Sequence, residues 1–199
     1  MTPVARPPSP TAGPDFVHVP VSDPRVGPLL RELGREYTER YGPQARAEIA
    51  RYPDEEFTPP YGGLLLLLLE DGEAVAGGAF RRYDATTAEL KRIWTHSAHR
   101  RRGLARRVVA ALEREAAARG YRRVYLTTGP RQPEARSLYL ATGYTPLFDT
   151  EAAPGTVDPV PFEKHLPTEP GAAPGRPARD RFTHVRARDE QERHNDLHR

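Results

Sequence analysis

The chain has 199 residues with 22 prolines and 16 glycines, enough for one domain with a sizeable core plus loose ends, on a prior of about 100–200 residues per domain. A formal net charge of +3 excludes a polycation acting by bulk charge, so the placement of the arginines matters more than their number. The absence of cysteine excludes a disulfide framework, a thiolate nucleophile and a cysteine-ligated zinc, and it fits a reducing compartment.

Residues 1–15, rich in Pro, Ala, Ser and Thr, contain no apolar stretch of signal-peptide length and are expected to be disordered. Phe16 to Val21 alternates and predicts a first strand, and Ser22 or Asp23 followed by Pro24 is a helix-start signal. Leu29, Leu30, Leu33, Tyr37 and Tyr41 then form one amphipathic stripe, closed by Gly42-Pro43. Gln44 to Tyr52 is weakly helical, and a proline-rich loop follows from Phe57 to Gly63. Gly63 to Glu70 and Ala74 to Arg82 flank Asp71-Gly72, a hairpin signal. The six leucines Leu64 to Leu69 fall far short of the ~20 apolar residues that cross a bilayer, so a buried strand in a soluble, cytoplasmic protein without membrane contact is expected.

Ala88 to Thr95 predicts a strand, Gly103 to Arg119 a helix with Gly120 just past its end, and Tyr121 to Thr128 another strand. Pro133 opens a further helix that Gly143 closes, and strands over Tyr144 to Phe148 and Val160 to Leu166 complete the set. This order predicts an α/β domain with a mixed sheet over residues 16–166. Residues 167–199 carry seven arginines against six acids and predict a mostly disordered, solvated tail, with a short helix around Asp189 to Leu197.

One loop stands out. His99-Arg100-Arg101-Arg102-Gly103-Leu104-Ala105-Arg106 joins a strand to a helix whose apolar stripe is Leu104, Val108, Leu112 and Ala116. The first turn of a helix presents backbone N–H groups without intrahelical partners, at the positive end of the dipole. Gly103 lets an anion approach the backbone without a Cβ in the way, and arginines fork onto phosphate oxygens. The pattern predicts a phosphate-binding loop, with neither Rossmann nor Walker spacing.

Arg100-Arg101-Arg102-Gly103-Leu104-Ala105 resembles the Gln/Arg-x-x-Gly-x-Gly/Ala loop of the GNAT-type N-acetyltransferases. A second stretch, Gln132-x-x-Ala135-x-x-Leu138-Tyr139-x-x-x-Gly143-Tyr144, resembles that family's later helix, and the two occur in the family's order. The likeness covers roughly residues 16–166 and is strongest from 88 to 145. It implies a GNAT acyltransferase fold with a mixed sheet of about six to seven strands flanked by about four helices. It also implies acetyl-CoA as acyl donor and a small-molecule or peptide amine as acceptor, in a monomer or homodimer.

By the same resemblance, two parallel strands splay apart and the pantetheine arm lies between them. Ile93, Trp94 and Thr95 would offer it backbone groups. Arg100, Arg101, Arg102, Gly103, Leu104, Ala105 and Arg106 would hold the pyrophosphate, and Gln132 stands where the family usually has an Asn contacting the cofactor. Tyr139 matches the proposed general acid for the departing thiolate, although a tyrosine on that helical face can also simply pack. Glu89 is the candidate base: a half-buried carboxylate suits proton removal through water. Its alternatives are an exposed strand-end charge or a pairing with Lys91 or Arg92. Tyr37, Tyr41, Phe57, Tyr61, Arg81 and Tyr83 are candidate acceptor contacts.

His96 and His99 flank the loop without a carboxylate cluster and beside cations, so no metal is expected. The rival readings are an acyl-CoA-binding module of the same fold that has lost chemistry, and nucleic-acid binding through His99 to Arg107. The second lacks interleaved aromatics and any recognised binding signature, and no nucleic-acid partner is expected.

Overall fold

The structure, a computed structural model, describes residues 15–151 and 157–167. The expectations for the N-terminal segment up to residue 14 and for the tail from 168, including its short helix, lie outside the described residues. In chain order the elements are β1 (Asp15–His18), α1 (Gly27–Tyr41), α2 (Ala47–Ala50), β2 (Leu64–Glu70) and β3 (Glu73–Arg82), followed by β4 (Thr87–Thr95) and α3 (Leu104–Ala118). β5 (Arg123–Thr128), α4 (Pro133–Ala141), β6 (Thr145–Pro146) and β7 (Val160–His165) complete them. The strands form one seven-stranded mixed sheet in the order β1-β2-β3-β4-β5-β7-β6, and together with the four helices this is the architecture expected. Among the described residues no helix is long and apolar enough to cross a membrane.

The leucine run shows how the sheet organises two cores. Side chains alternate across a strand. Leu64, Leu66 and Leu68 therefore enter one apolar layer with α3, and Leu65 and Leu67 enter the other with α1. Asp71 (φ 51°) and Gly72 (φ 84°) make the tight turn to β3 with two positive φ angles, the geometry that suits a twisted hairpin. α3 buries Leu104, Val108, Val109, Ala111, Leu112 and Ala116, its predicted stripe.

Three expected elements are shorter in the structure. β1 stops at His18 because Pro20 cannot donate to the ladder, although the Val19 amide still reaches the Leu65 carbonyl at 3.1 Å. Residues 43–61 form short 3₁₀ turns around the four-residue α2, in keeping with prolines at 43, 53, 59 and 60. The strand expected over Tyr144 to Phe148 pairs only at Thr145 and Pro146.

Gly77 and Gly78 let both helical layers approach β3. A Cβ on Gly78 would lie 2.8 Å from Ile93 Cδ1 and 3.0 Å from Leu112 Cδ1 and Val108 Cγ1. A Gly78→Val substitution is expected to overpack the α3 interface and cost about 1–3 kcal/mol, read as a lower denaturant midpoint with an unchanged slope.

Candidate active site

β4 and β5 are the parallel pair, matched at Thr87 with Arg123, Ala88 with Val124 and Glu89 with Tyr125. Beyond Glu89, β4 runs on to Thr95 without that neighbour, while β5 continues to Thr128 paired with β7 on its far side. The local cause is a bulge. Gly77 faces Trp94 but Ala79 faces Lys91, so β4 carries an extra residue, and Arg92 takes a φ of 58°. Such a residue bends its strand and increases the twist. A gap opens between two backbone edges.

The His96 amide bonds to the Val75 carbonyl at 2.9 Å, on the β3 side. Antiparallel alternation then turns the backbone groups of Trp94 toward β3 and those of Ile93 and Thr95 toward the gap. Of the three residues expected to line it with their backbone, Trp94 therefore faces the wrong way. Its side chain is buried in the α1 layer.

Between β4 and α3 the chain turns through Arg101 (φ 61°) and Gly103 (φ 72°), and Gly103 caps α3 without a side-chain bond. The amides of Arg101 to Arg106 find no backbone acceptor among the described residues. A Cβ on Gly103 would meet nothing within 4 Å, so the open face of the turn is free for a ligand. Leu104 contributes only its amide, because its side chain enters the core, whereas Ala105 is half-buried.

Two of the arginines are held by acids. Arg102 grips both oxygens of Glu70 at 2.7 and 2.8 Å, and Arg100 reaches Glu36 at 3.1 Å. Arg101 and Arg106 are exposed and carry no ion pair among the described residues. The uniform arginine cluster read from the sequence is thus two anchored cations and two open ones. His96 accepts from the Ala98 amide at 3.2 Å, and His99 lies 2.6 Å from Arg102.

α1 spans the two arms of the gap. At one end Glu32 accepts from the Trp94 indole at 2.9 Å and from the Ser97 amide and hydroxyl at 3.0 and 2.8 Å. At the other, the Tyr41 hydroxyl accepts from the Arg131 amide at 3.0 Å, and Arg131 donates to the Arg40 carbonyl at 2.7 Å. Tyr41 lies so close to Gly129 that a Cβ there would clash with its ring. Gln132 sits in this same loop, where its side-chain oxygen accepts from the Thr128 hydroxyl at 2.9 Å and the Gly129 amide at 3.0 Å. Its oxygen closes the loop.

Tyr139 is only 6% exposed and packs edge-on to Tyr144 and beside Phe162. Burial, and secondarily the nearby Tyr37 hydroxyl, push its phenol well above the usual tyrosine range, so it stays protonated. Tyr37 in turn lies within electrostatic reach of Lys91 and Arg92.

Glu89 is 3% exposed and is the buried carboxylate where β4 and β5 part. It is paired on both oxygens. Register sets Arg81 of β3 directly opposite, with Nε and Nη2 both 2.7 Å from one carboxylate oxygen, and Lys91 holds the other oxygen at 2.9 Å. Tyr52 covers the cluster, its ring 4.0 Å from the Arg81 guanidinium and 5.0 Å from the Lys91 amine. Of the alternatives, Lys91 is a partner and Arg92 points elsewhere. Tyr83 lies against Tyr125 with ring centroids 5.1 Å apart, and Tyr61 is exposed.

Sequence reasoning missed Glu32, because its partners lie more than sixty residues away and its own neighbourhood reads as a helix surface. Partial burial works to raise its carboxyl, but the hydrogen bonds from Ser97 and Trp94 outweigh that and hold it below the ordinary range. The clamp is therefore complete above the ordinary glutamate range and is lost as pH falls through the depressed value. Trp94 is the sole tryptophan. Its emission is expected to shift over that acidic window, and Glu32→Gln is expected to abolish the shift and destabilise the fold by about 1.5–3 kcal/mol.

Three comparisons bear on this arrangement. The model of the Acetyltransferase (GNAT) family matches residues 28–144, which include the open turn, the gap and Tyr139. An uncharacterized N-acetyltransferase of Bacillus subtilis (strain 168), YsnE, is 34% identical over 93 residues, covering 44% of this chain and 62% of the relative's length. Among solved structures, an acetyltransferase from Streptococcus agalactiae 2603 superposes with a TM-score of 0.59 at 21% identity, covering 78% of this chain and 99% of the other. A GNAT family acetyltransferase from Elizabethkingia anophelis with acetyl-CoA bound gives 0.54 at 15%, with 78% and 99% covered. At those identities the two structures speak for the fold alone. With the family model spanning more than half its length, the chain belongs to the GNAT acetyltransferase family.

Proposed function

We infer that the chain is an N-acetyltransferase that moves an acetyl group from acetyl-CoA to a primary amine of a small molecule or peptide. The observation that carries this is the pairing of an open, amide-lined turn at the N-terminus of α3 with a backbone gap between β4 and β5. Acetyl-CoA supplies an activated thioester and a pyrophosphate handle.

The residues fit that substrate. The amides of Arg101 to Arg106 and the open cations Arg101 and Arg106 would take the pyrophosphate. The gap-facing backbone of Ile93 and Thr95 would pair with the pantetheine as a neighbouring strand would, and one of those amides would polarise the acyl carbonyl. The –NH₂ of Gln132 is a further donor at the far arm.

An alkyl ammonium, with a pKa of ~10, must lose a proton before its nitrogen can bond to the acyl carbon. Both oxygens of Glu89 already hold cations, so Glu89 acts by orienting a water that takes this proton, and it does not accept the proton directly. As the carbon–sulfur bond breaks, Tyr139, kept neutral by burial, donates to the sulfur and recovers its proton from the nitrogen side. Holding both partners in place provides most of the acceleration.

Calorimetry with acetyl-CoA is expected to show binding. Gly103→Ala, which puts a Cβ on the open face of the turn at a positive φ, is expected to weaken that binding about tenfold or more while costing only about 1–2 kcal/mol of stability. In a free-thiol release assay over amines, Tyr139→Phe is expected to lower turnover about 100-fold with acetyl-CoA affinity kept. Binding without thiol release from any amine would instead identify a catalytically silent acyl-CoA-binding module.

A further inference from the structure

The charged cluster on the α1 side of β4 does not balance. Arg81 and Lys91 are satisfied by Glu56 and Glu89. Arg92 is not. It is 9% exposed, its guanidinium lies 4.1 Å over the Phe57 ring, and its Nη1 is buried without any hydrogen-bond partner. Nη2 donates to the Ile49 carbonyl at 2.9 Å and only approaches Asp54 at 3.5 Å. The Asp54 side chain is 66% exposed, so water screens most of what it could offer.

A buried guanidinium with an unpartnered nitrogen is costly unless something else completes it. The chain also holds Arg92 at a φ of 58° in the bulge that opens the gap, a strained conformation of the kind that concentrates at binding sites. The cover over it consists of short 3₁₀ turns and the four-residue α2, not a packed helix. Asp54, a carboxylate at the rim of this cover, already approaches the same guanidinium.

We propose that the acceptor is a primary amine that also bears a carboxylate, and that this carboxylate docks on the buried, unpartnered Nη1 of Arg92. The proposal rests on the transferase reading for the word acceptor. A carboxylate there would replace the weak Asp54 contact with a charge-assisted bond to Nη1. Its amine would then be held on the same face of β4 as Glu89.

The test uses the full chain and two readouts. The panel comprises the common α-amino acids beside their amides, and short peptides with free or amidated C-termini, which separates free amino acids from peptide ends as the source of the carboxylate. Thiol release from acetyl-CoA gives kcat/KM, and calorimetry on the protein loaded with CoA gives binding without turnover. Carboxylate-bearing acceptors are expected to be preferred over their amides by about 30-fold or more in both readouts. Arg92→Gln is expected to erase this ratio and Arg92→Lys to restore part of it, with acetyl-CoA affinity unchanged in both variants.

If amines without a carboxylate react equally well, or the ratio survives in Arg92→Gln, the carboxylate proposal is wrong and the transferase reading stands. If carboxylate compounds bind through Arg92 without thiol release, the site is real and the transferase reading fails. If neither binding nor turnover depends on a carboxylate, and nothing is turned over, both fall.

Discussion

The parting of β4 and β5 after the Glu89–Tyr125 pair governs the arrangement of everything around it. A parallel pair that continued to Thr95 would satisfy its own backbone and leave nothing for a ligand to bond. The bulge at Arg92 ends that pairing by bending β4, and β7 keeps β5 in place on its other side. An unpaired edge inside a sheet is otherwise a liability. Here it lies beside the open, amide-lined turn that follows the same strand.

α1 stabilises that opening. Its residues Glu32, Glu36, Tyr37, Arg40 and Tyr41 recur at helical spacing along one face. Glu32 and Glu36 tie down the start of the phosphate loop through Ser97 and Arg100, and Arg40 and Tyr41 bolt onto the loop after β5. The helix thus braces the two arms at a fixed separation. Gly129 permits the closest of these contacts, since any side chain there would collide with Tyr41.

Charge placement divides the site into two environments. At the phosphate turn, exposed arginines are partly neutralised by Glu36 and Glu70, which keeps four like charges from repelling one another while leaving Arg101 and Arg106 open. On the α1 side of β4 the charges are buried, Arg81 and Lys91 pairing with Glu89 while Arg92 keeps an unpartnered Nη1, with Tyr52 and Phe57 as aromatic covers. Buried ion pairs contribute less to stability than to geometry. Their effect in this fold is to fix Glu89 and Arg92 on one face of β4, close to Tyr37.

Local signals made much of this legible before any coordinates. The hairpin at Asp71-Gly72, the stripe of α3, the proline at the start of α4 and the glycine-bearing arginine loop depend on neighbours within a few residues, and short-range sterics and periodicity determine them. The two family-like motifs depend on spacing alone in the same way. What the linear order does not encode is partnership across the sheet. Arg81 stands opposite Glu89 because the four-residue connection 83–86 sets the β3–β4 register, the bulge lying farther along the pair between Gly77 and Ala79. Glu32 meets Trp94, Gln132 turns its oxygen inward and Arg92 is left with a buried, unpartnered Nη1 because packing, not sequence distance, decides which polar groups are buried together. Short-range signals therefore determined the order of elements along the chain and the glycine-bearing turn before α3, while tertiary packing decided which charges are paired and which guanidinium nitrogen is buried without a partner.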